Sequence, residues 1–290
     1  MRSTGILIAT LAGALMSVCV KLTAGHYHPW EIVLYNAGCA TVVSFLILKL
    51  KGLAVCSVCP KHELARGVLG VVSMGLSYWC LQVLPLATTV TFRYTAPIYT
   101  VFFAILISLY RRHKPPLMAA CCVLMGFCGV LLILRPAFDN GTFTQMLISA
   151  SAGPVIALIA ILLHRMGELN EHPVRMLFYS SICCFFFGLV MTSTKGLSTH
   201  TLESGLLLAG ICVFGLGNQF FVALGWSRGN LVLGAALQLC GVVFATVFGV
   251  ILFGEKLDVM TACGIGVIML SVFSTAVVKS RSELQRTMAR

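Results

Sequence analysis

The sequence predicts an all-α integral membrane protein with ten transmembrane helices, arranged as two inverted five-helix repeats. Of its 290 residues, 59% are hydrophobic and only 10% are charged, whereas soluble domains carry about 25% charged residues. Apolar stretches of about 18 or more residues recur along the whole chain, as expected for helices that cross a bilayer. Barrel strands are only about 9–11 residues long and alternate in polarity, so the pattern favours helices.

Ten spans follow from these stretches, with ends fixed only to within several residues. The first is interpreted as a retained helix and not as a signal peptide, because Lys21 ends it and no small-residue cleavage site follows. In chain order the spans cover residues 4–23, 31–49, 66–84, 87–109, 117–134, 143–164, 174–194, 204–225, 231–252 and 259–278.

Span 1 carries a small residue at every fourth position, from Gly5 through Ala9 and Gly13 to Ser17. These residues share one helix face, where the backbone of another helix can approach closely. Close packing is one interpretation of this face. A hydroxyl that lines a ligand site is the other, and it makes Ser17 a candidate substrate contact.

Lysine and arginine set the predicted orientation. With the N-terminus inside the cell, the 20 basic residues fall on cytoplasmic segments, apart from Arg93 within span 4 and Lys21, Arg135, Lys195 and Lys256 outside. This bias places both termini in the cytoplasm of a multi-pass inner-membrane protein. It also accounts for the formal charge of +11 without a nucleic-acid partner.

The chain divides into two halves, residues 1–138 and 139–290. Each half has a tight connection between its third and fourth spans, at Leu84–Ala87 and at Trp226–Asn230. An offset of 144 residues lays span 4 on span 9. Because five is odd, the second half enters the membrane from the opposite side, and inverted repeats of this kind place a substrate near the midplane between them.

Span 4 is the most unusual of the ten. Its core, Thr88–Leu106, is long and apolar but carries Arg93, two tyrosines and Pro97. A charge at membrane depth costs about 2.5–3.5 kcal/mol on insertion scales, and such residues face protein or a water-filled cavity. Proline removes a backbone hydrogen bond and bends a helix. The sequence therefore predicts a bent helix that lines a cavity.

Three roles are open to Arg93. It can receive a substrate carboxylate or phosphate through charge-assisted hydrogen bonds. It lies about 9 Å below the start of span 4, given about 1.5 Å of rise per residue, so its long stem can also reach the lipid headgroups. The third role is an ion pair with Glu31 at the outer end of span 2.

Four short motifs resemble those of the drug/metabolite transporter superfamily, and within it the EamA-type ten-helix transporters. They are His28–Ile32 entering span 2, Leu84–Ala87 before span 4, Thr95–Ile98 within it, and Phe253–Lys256 after span 9. The resemblance covers nearly the whole chain. It implies ten helices in two inverted halves and a central cavity lined by spans 1, 3, 4, 6, 8 and 9.

Polar and aromatic residues on those spans complete the predicted substrate site. Inside a membrane, amides often simply bond across helices, so each residue has a packing role as its alternative. Tyrosine, tryptophan and amide groups together suit a polar, partly apolar organic solute better than a bare ion. With Arg93 and Ser17, the predicted substrate contacts are Tyr78, Trp79, Gln82, Tyr94, Tyr99, Asn218, Gln219 and Gln238.

Motifs for catalysis are missing from the sequence. It has no Walker loop, no His-Glu-x-x-His motif and no paired carboxylates within a span. Cys56 and Cys59, with His62 behind them, have the spacing of a zinc-ligand pair, but a zinc site needs a second pair and none is nearby. We therefore predict a protein that is not an enzyme and has neither cofactor nor metal.

The predicted function is secondary transport of a small polar organic metabolite, an amino acid or a similar compound, by alternating access. All acids and histidines lie at span ends or in loops, without the intramembrane relay of proton-coupled carriers, so facilitated diffusion or exchange is favoured. The predicted partners are this substrate and the lipid bilayer. Three alternatives stay open: an S-adenosylmethionine-type carrier, a drug or cation exporter, and a membrane scaffold without cargo.

Overall fold

The structure is a computed structural model that describes residues 4–23, 26–83, 92–110, 112, 117–134, 143–194, 196–198, 201–254 and 258–288. Within these ranges it contains helices and no strand. The helices, numbered in chain order, are α1 Thr4–Leu22, α2 Pro29–Leu50, α3 Pro60–Val83, α4 Ala96–Tyr110, α5 Leu117–Leu134, α6 Phe143–Ala150, α7 Ala152–Glu168, α8 Pro173–Ser193, α9 Leu202–Arg228, α10 Leu231–Phe253 and α11 Val259–Met288.

The predicted all-α membrane architecture is confirmed. Across the described residues, eight helical segments are long and apolar enough to cross a membrane, and α4 is a shorter apolar helix. Two predicted spans differ in detail. The described part of span 4 has a turn at Tyr94–Thr95 before α4, and span 6 is divided by a turn at Ser151 into α6 and α7.

The division of span 6 has a local cause. Pro154 lies in the first turn of α7 and cannot donate a backbone hydrogen bond to the turn before it. At the end of α6, the Ser151 hydroxyl and backbone N–H both donate to the Ile148 carbonyl, at 2.5 and 3.1 Å. The predicted span 6 is therefore a helical segment with a turn inside it, and the residues from Leu147 to Glu168 are together long enough to cross a membrane.

The chain forms two compact units, and each draws on both predicted halves. Unit 1 comprises Met1–Met74 and Leu162–Arg228, and unit 2 comprises Gly75–Ile161 and Gly229–Arg290. Each unit therefore combines segments from both predicted halves of the chain.

Unit 1 is built on two antiparallel helix pairs, α1 with α9 and α2 with α8. In the first pair, Gly5 lies against Gly225 at one end and Gly210 faces Cys19 at the other. The second pair has Gly188 against Leu34 and Leu48 with Val174 in a buried cluster. Each pair joins one helix from each half of the chain.

The helices α2 and α8 begin with the same local structure. His28 and His172 both have extended backbones, and the ring of each accepts a hydrogen bond from the backbone N–H two residues on. A proline follows at the first helical position in both, where its missing N–H costs nothing. The two caps are separated by the 144 residues that align the halves, so the repeat extends to this capping geometry.

Unit 2 packs α5 against α11 and α4 against α10. Gly129 and Gly264 bring the backbones of α5 and α11 together, since a Cβ at Gly264 would lie 2.8 Å from the Gly129 carbonyl oxygen. Beside this contact, Val130, Leu239 and Ile268 are fully buried in one cluster. The core of unit 2 thus lies among α5, α10 and α11.

Candidate functional site

The helix that carries Arg93 is broken immediately after it. Phe92 and Arg93 are helical, Tyr94 and Thr95 form a turn, and α4 begins at Ala96. The Thr95 hydroxyl donates to the Phe92 carbonyl at 2.6 Å, and the Ile98 N–H donates to the Thr95 carbonyl at 2.9 Å. The guanidinium of Arg93 is exposed and precedes the N-terminus of a new helix, where partial positive charge accumulates.

Three other predicted contacts, Tyr94, Tyr99 and Gln238, are half-buried in unit 2. Tyr94 packs against the core cluster that contains Leu239. The Tyr99 ring lies over Gly153, where an added Cβ would come within 3.1 Å of two ring carbons. These aromatic rings therefore also contribute to helix packing.

Asn218, Gln219 and Ser17 lie in unit 1, on α9 and α1. The Asn218 Nδ2 donates to the Ala9 carbonyl at 2.7 Å, and the Ser17 hydroxyl donates to the Gly13 carbonyl at 2.9 Å. Asn218 also lies against Gly13, so it meets the small-residue face of α1. Asn218 bonds across the helix pair, as the packing alternative expects; Ser17 is exposed and Gln219 is half-buried.

The remaining predicted contacts are Tyr78, Trp79 and Gln82. Their backbone belongs to α3, but their side chains lie outside the described residues. Their proposed contact with substrate stays a prediction.

Glu31, the alternative partner of Arg93, is fully buried at the start of α2. Its Oε2 accepts a hydrogen bond from the Ser198 hydroxyl at 2.6 Å, and the Ser198 backbone N–H lies 3.2 and 3.3 Å from the two carboxylate oxygens. This carboxylate therefore ties the start of α2 to the connection that follows α8.

The opposite end of the α2–α8 pair has a matching link. Glu171, just before α8, accepts from the Ser57 hydroxyl at 2.5 Å and from the Val58 N–H at 2.8 Å. Its other oxygen lies 2.7 Å from Nε of Arg175. Burial raises the pKa of Glu171, but these hydrogen bonds and Arg175 outweigh it, so the pKa lies below its ordinary value. At both ends of the pair, a glutamate at or just before the start of one helix thus binds the connection that follows the other helix.

Sequence reasoning missed how deeply the ionic groups at this second end are buried. Glu63, Arg66, Glu171 and Arg175, here called the buried ionic cluster, lie at span ends or in connections, where hydropathy predicts solvent. Glu63 is 1% exposed and Arg66 is 6% exposed. Residues 61–66 and 171–175 each contain one glutamate and one arginine, but the contact between the two segments across 110 residues is not a sequence pattern.

Glu63 is the least satisfied member of the buried ionic cluster. Neither of its carboxylate oxygens has a hydrogen-bond partner. Arg66, one helical turn later, donates through Nη1 to the Met176 carbonyl of α8. Glu63 lies ahead of the predicted span at 66–84, and its burial raises the pKa to about 7, with Arg66 opposing the shift.

Cys56 and Cys59, which have the spacing of a zinc-ligand pair, belong to the same end of unit 1. Cys56 is exposed and Cys59 is buried, and the Cys59 Sγ lies 3.5 Å from the Glu171 carboxylate. Burial raises the pKa of Cys59 to about 11, so it is a neutral thiol at physiological pH. Thiolate is the form that binds metals.

Unit 1 also contains an open apolar groove of about 650 Å³. Residues from α2, α8 and α9 line it, among them Leu34, Cys39, Phe185, Leu208 and Cys212. None of the described residues that line it is charged. The groove is therefore suited to hydrocarbon and not to a polar metabolite.

Comparison with known families decides the class of protein. A sequence model of the EamA-like transporter family matches residues 3–135 and again residues 143–277. The chain belongs to the EamA-like transporter family. Its resemblance to drug/metabolite transporters is thereby confirmed, and it is a multi-pass membrane protein of a transporter family.

Relatives of this EamA-like transporter span bacteria and animals. An uncharacterized transporter of Helicobacter pylori (strain J99) is 26% identical over 97% of this chain and 96% of its own length. The pseudopaline exporter CntI of Pseudomonas aeruginosa is 24% identical over 90% and 92%. Human solute carrier family 35 member G1 is 28% identical over 66% of this chain and 55% of its own length.

A solved crystal structure superposes on the chain with a TM-score of 0.81. The match covers 96% of this chain and 99% of the other, at 15% sequence identity. At that identity the likeness shows the shared fold alone.

Proposed function

We propose that this EamA-like transporter moves a small polar organic metabolite, an amino acid or an amino-acid-like compound, by alternating access. The cargo crosses chemically unchanged, so the protein is not an enzyme. Arg93 receives the acidic group of the cargo. Tyr94, Tyr99 and Gln238 of the same unit contact the remainder.

The break after Arg93 is the observation that carries this proposal. Secondary transporters bind their cargo at discontinuous helices, with the positive N-terminal end of a half-helix directed at anionic substrate groups. Here an exposed guanidinium and the N-terminus of α4 at Ala96 follow each other within three residues. Two sources of positive charge at one break favour a cargo with a carboxylate or phosphate.

The hydrogen bonds of Glu31 argue against its alternative role as the partner of Arg93. The buried Glu31 carboxylate already accepts hydrogen bonds from the backbone and hydroxyl of Ser198. Moving Glu31 to an arginine would leave the Ser198 donors without that partner, and an unmade buried hydrogen bond costs about 1–3 kcal/mol. We infer that Arg93 is held for the cargo.

Location and energetics complete the proposal. We place the protein in the inner, or plasma, membrane with both termini in the cytoplasm, from the distribution of lysine and arginine. Transport is facilitated diffusion or exchange, since the sequence places the acids at the ends of the predicted spans or between them.

Counterflow in proteoliposomes tests the role of Arg93. Wild type, Arg93→Ala and Arg93→Lys are each assayed with a panel of amino acids and nucleoside-linked metabolites. Hydrogen bonds to charged groups contribute about 1.5–3 kcal/mol, so Arg93→Ala should weaken half-saturation for an acidic cargo by roughly tenfold to a hundredfold. Arg93→Lys should keep part of the affinity, because the charge remains but the planar fork is lost.

Arg165→Ala is the matched control. Arg165 is also an arginine on a helix, but its side chain is 51% exposed and pairs with Glu168 on its own helix. Its removal should leave half-saturation unchanged. Equal affinity of wild type and Arg93→Ala for every acidic cargo would remove the anion-receiving role, and the absence of counterflow for all cargoes would favour the scaffold alternative.

A further inference from the structure

The buried ionic cluster lies at the end of unit 1 where α8 begins, which we call the His172 end. Two links hold it together. Arg66 on α3 donates to the Met176 carbonyl on α8, and Glu171 accepts from Ser57 and Val58 in the connection between α2 and α3. Three separate segments therefore meet at this end, and each one contributes a charged or polar group.

The Glu63 carboxyl group lies among these links without a hydrogen bond of its own. Its side chain is 1% exposed and both oxygens lack a partner. A buried polar group without a hydrogen bond is disfavoured, and a buried charge more so. Isolation from water in this way shifts the equilibrium of the carboxyl group toward its protonated form.

The groups that face Glu63 come from every segment around it. Arg66 lies on its own helix, Glu171 in the connection before α8, and Arg175 on α8. Two thiols, those of Cys59 and Cys183, complete the set.

The charges in this set do not cancel the effect of burial. Burial has the largest effect and raises the pKa of Glu63. The positive charge of Arg66 lowers this pKa, the negative charge of Glu171 raises it, and the positive charge of Arg175 lowers it. Arg175 lies closest to Glu171, with Nε 2.7 Å from its carboxylate. Arg66 is therefore the principal counter-charge left to Glu63, and the balance gives a pKa of about 7.

We propose that Glu63 is a proton-binding site of this transporter, and that its protonation keeps the His172 end closed and slows transport. The proton is the ligand, and the site is the buried carboxyl group between α3 and the start of α8. The predicted orientation places this site at the cytoplasmic side, so it senses cytoplasmic pH.

The direction of the effect follows from linkage. When the His172 end opens to water, Glu63 becomes hydrated and its pKa returns toward the ordinary value of 4.5. Protons therefore bind better to the closed form and stabilise it. As the pH falls from about 8 to about 6, the ratio of closed to open protein rises by up to roughly tenfold. Below the pKa of the closed form, each further pH unit multiplies this ratio by about ten, because only the closed form binds the proton in this range.

Infrared difference spectroscopy on the purified, reconstituted protein tests the proton site directly. A protonated carboxyl group has a C=O stretch that carboxylates lack, and wild type should lose this band as the pH rises through about 7. Glu63→Gln should lack the titrating band. Glu168→Gln makes the same chemical change on an exposed ion pair of the same unit, and it should keep the band.

Transport assays with vesicles of set internal and external pH test the link to function, which rests on the proposed transport role. The wild-type rate should fall roughly tenfold between about pH 8 and about pH 6 on the cytoplasmic side. Glu63→Gln has the shape of the protonated residue, so its rate should be low at both pH values. Glu168→Gln should follow wild type.

The two readouts separate the possible failures. A wild-type carboxyl band that does not titrate near neutral pH overturns the proton site, and this measurement does not depend on whether any variant folds. A band that titrates while transport is equal at both pH values overturns the link to transport. Absence of transport at every pH contradicts the proposed function and leaves the infrared result to decide the proton site.

Discussion

At the scale of residues, three carboxylates of unit 1 show how the surroundings determine the behaviour of an acid. Glu31 and Glu171 each accept a short hydrogen bond from a serine hydroxyl, at 2.6 and 2.5 Å. Glu63 is equally buried but has no hydrogen-bond partner. Since hydrogen bonds to the charged form favour it and burial disfavours it, Glu171 has a lowered pKa and Glu63 a raised one.

Glu63 should make stability depend on pH in the direction opposite to most acids. Its pKa is about 7 in the folded protein and 4.5 in the unfolded chain. Below about pH 4.5 both forms hold the proton; as the pH rises to about 7 the unfolded chain releases it first, so stability falls by about 3 kcal/mol. Thermal unfolding of wild type and Glu63→Gln in detergent should therefore show the variant gaining relative stability as the pH rises.

The same experiment has a clear contrary outcome. If the difference between wild type and Glu63→Gln stays constant from acid to neutral pH, Glu63 does not change its protonation in that range. Glu168→Gln, on an exposed ion pair, is the control and should show no such change.

Ser57→Ala should weaken the link between Glu171 and the connection after α2. It removes the hydroxyl that donates to Glu171 at 2.5 Å and leaves a buried carboxylate with fewer donors, at a cost of about 1–3 kcal/mol. The measurement is the free energy of unfolding in a denaturing detergent. Ser193→Ala is the control because that exposed hydroxyl bonds only to its own helix, at the Val190 carbonyl; an equal loss in both variants would contradict a specific role for Ser57.

At the scale of helices, glycine determines how closely the pairs approach. In membranes, helix association depends on packing of small residues because lipid tails are as apolar as the helices. A Cβ at Gly264 would meet the Gly129 carbonyl oxygen at 2.8 Å, whereas a Cβ at Gly266 on the same helix would meet nothing within 4 Å. Gly264 therefore lies on the side of α11 that packs against α5. Gly266, two residues later, lies on a side where no described residue contacts the added Cβ.

Gly264→Ala should destabilise unit 2, while Gly266→Ala should not. The first substitution must push two backbones apart, and overpacking costs about 1–3 kcal/mol. The second fills open space and removes a flexible residue from a helix. Comparing the unfolding of both variants in detergent measures the difference directly, and a tolerated Gly264→Ala would show that α5 and α11 can separate freely.

The broken helix before α4 belongs to the same scale. Proline lacks the N–H that a helix interior needs, and Pro97 accordingly lies in the first turn of α4 and not in its middle. The turn at Tyr94–Thr95 takes up the change of direction. This break separates Arg93 from the apolar helix that follows.

At the scale of the molecule, the two halves of the chain contribute to both compact units. Helices from opposite halves form the α1–α9 and α2–α8 pairs of unit 1 and the α5–α11 pair of unit 2. The boundary at residues 138 and 139 stays a prediction, while the fold of an EamA-like transporter is established.

The predicted orientation places Cys56 on the cytoplasmic side. This thiol is exposed in the connection between α2 and α3, so a membrane-impermeant thiol reagent should label it in inside-out vesicles and not in intact cells. Cys56→Ser should lose that labelling and identifies the reacting residue. Labelling in intact cells, lost in Cys56→Ser, would reverse the assigned topology.

The sequence by itself determined the membrane class, the approximate positions of the spans and the family, because these depend on composition and on local spacing. The ends of α5 coincide with its predicted span, and the histidine caps of α2 and α8 are set by adjacent residues. Local proline chemistry likewise indicated the bend before α4.

The tertiary structure alone decided which polar residues are buried and with whom. Asn218 meets Ala9, Glu171 meets Ser57, and Arg66 meets Met176 across more than a hundred residues of chain. Hydropathy treats a charged residue at a span end as solvated, since it averages over neighbours in sequence and not in space. Glu63 was therefore visible in the sequence, but its burial without a hydrogen-bond partner was not.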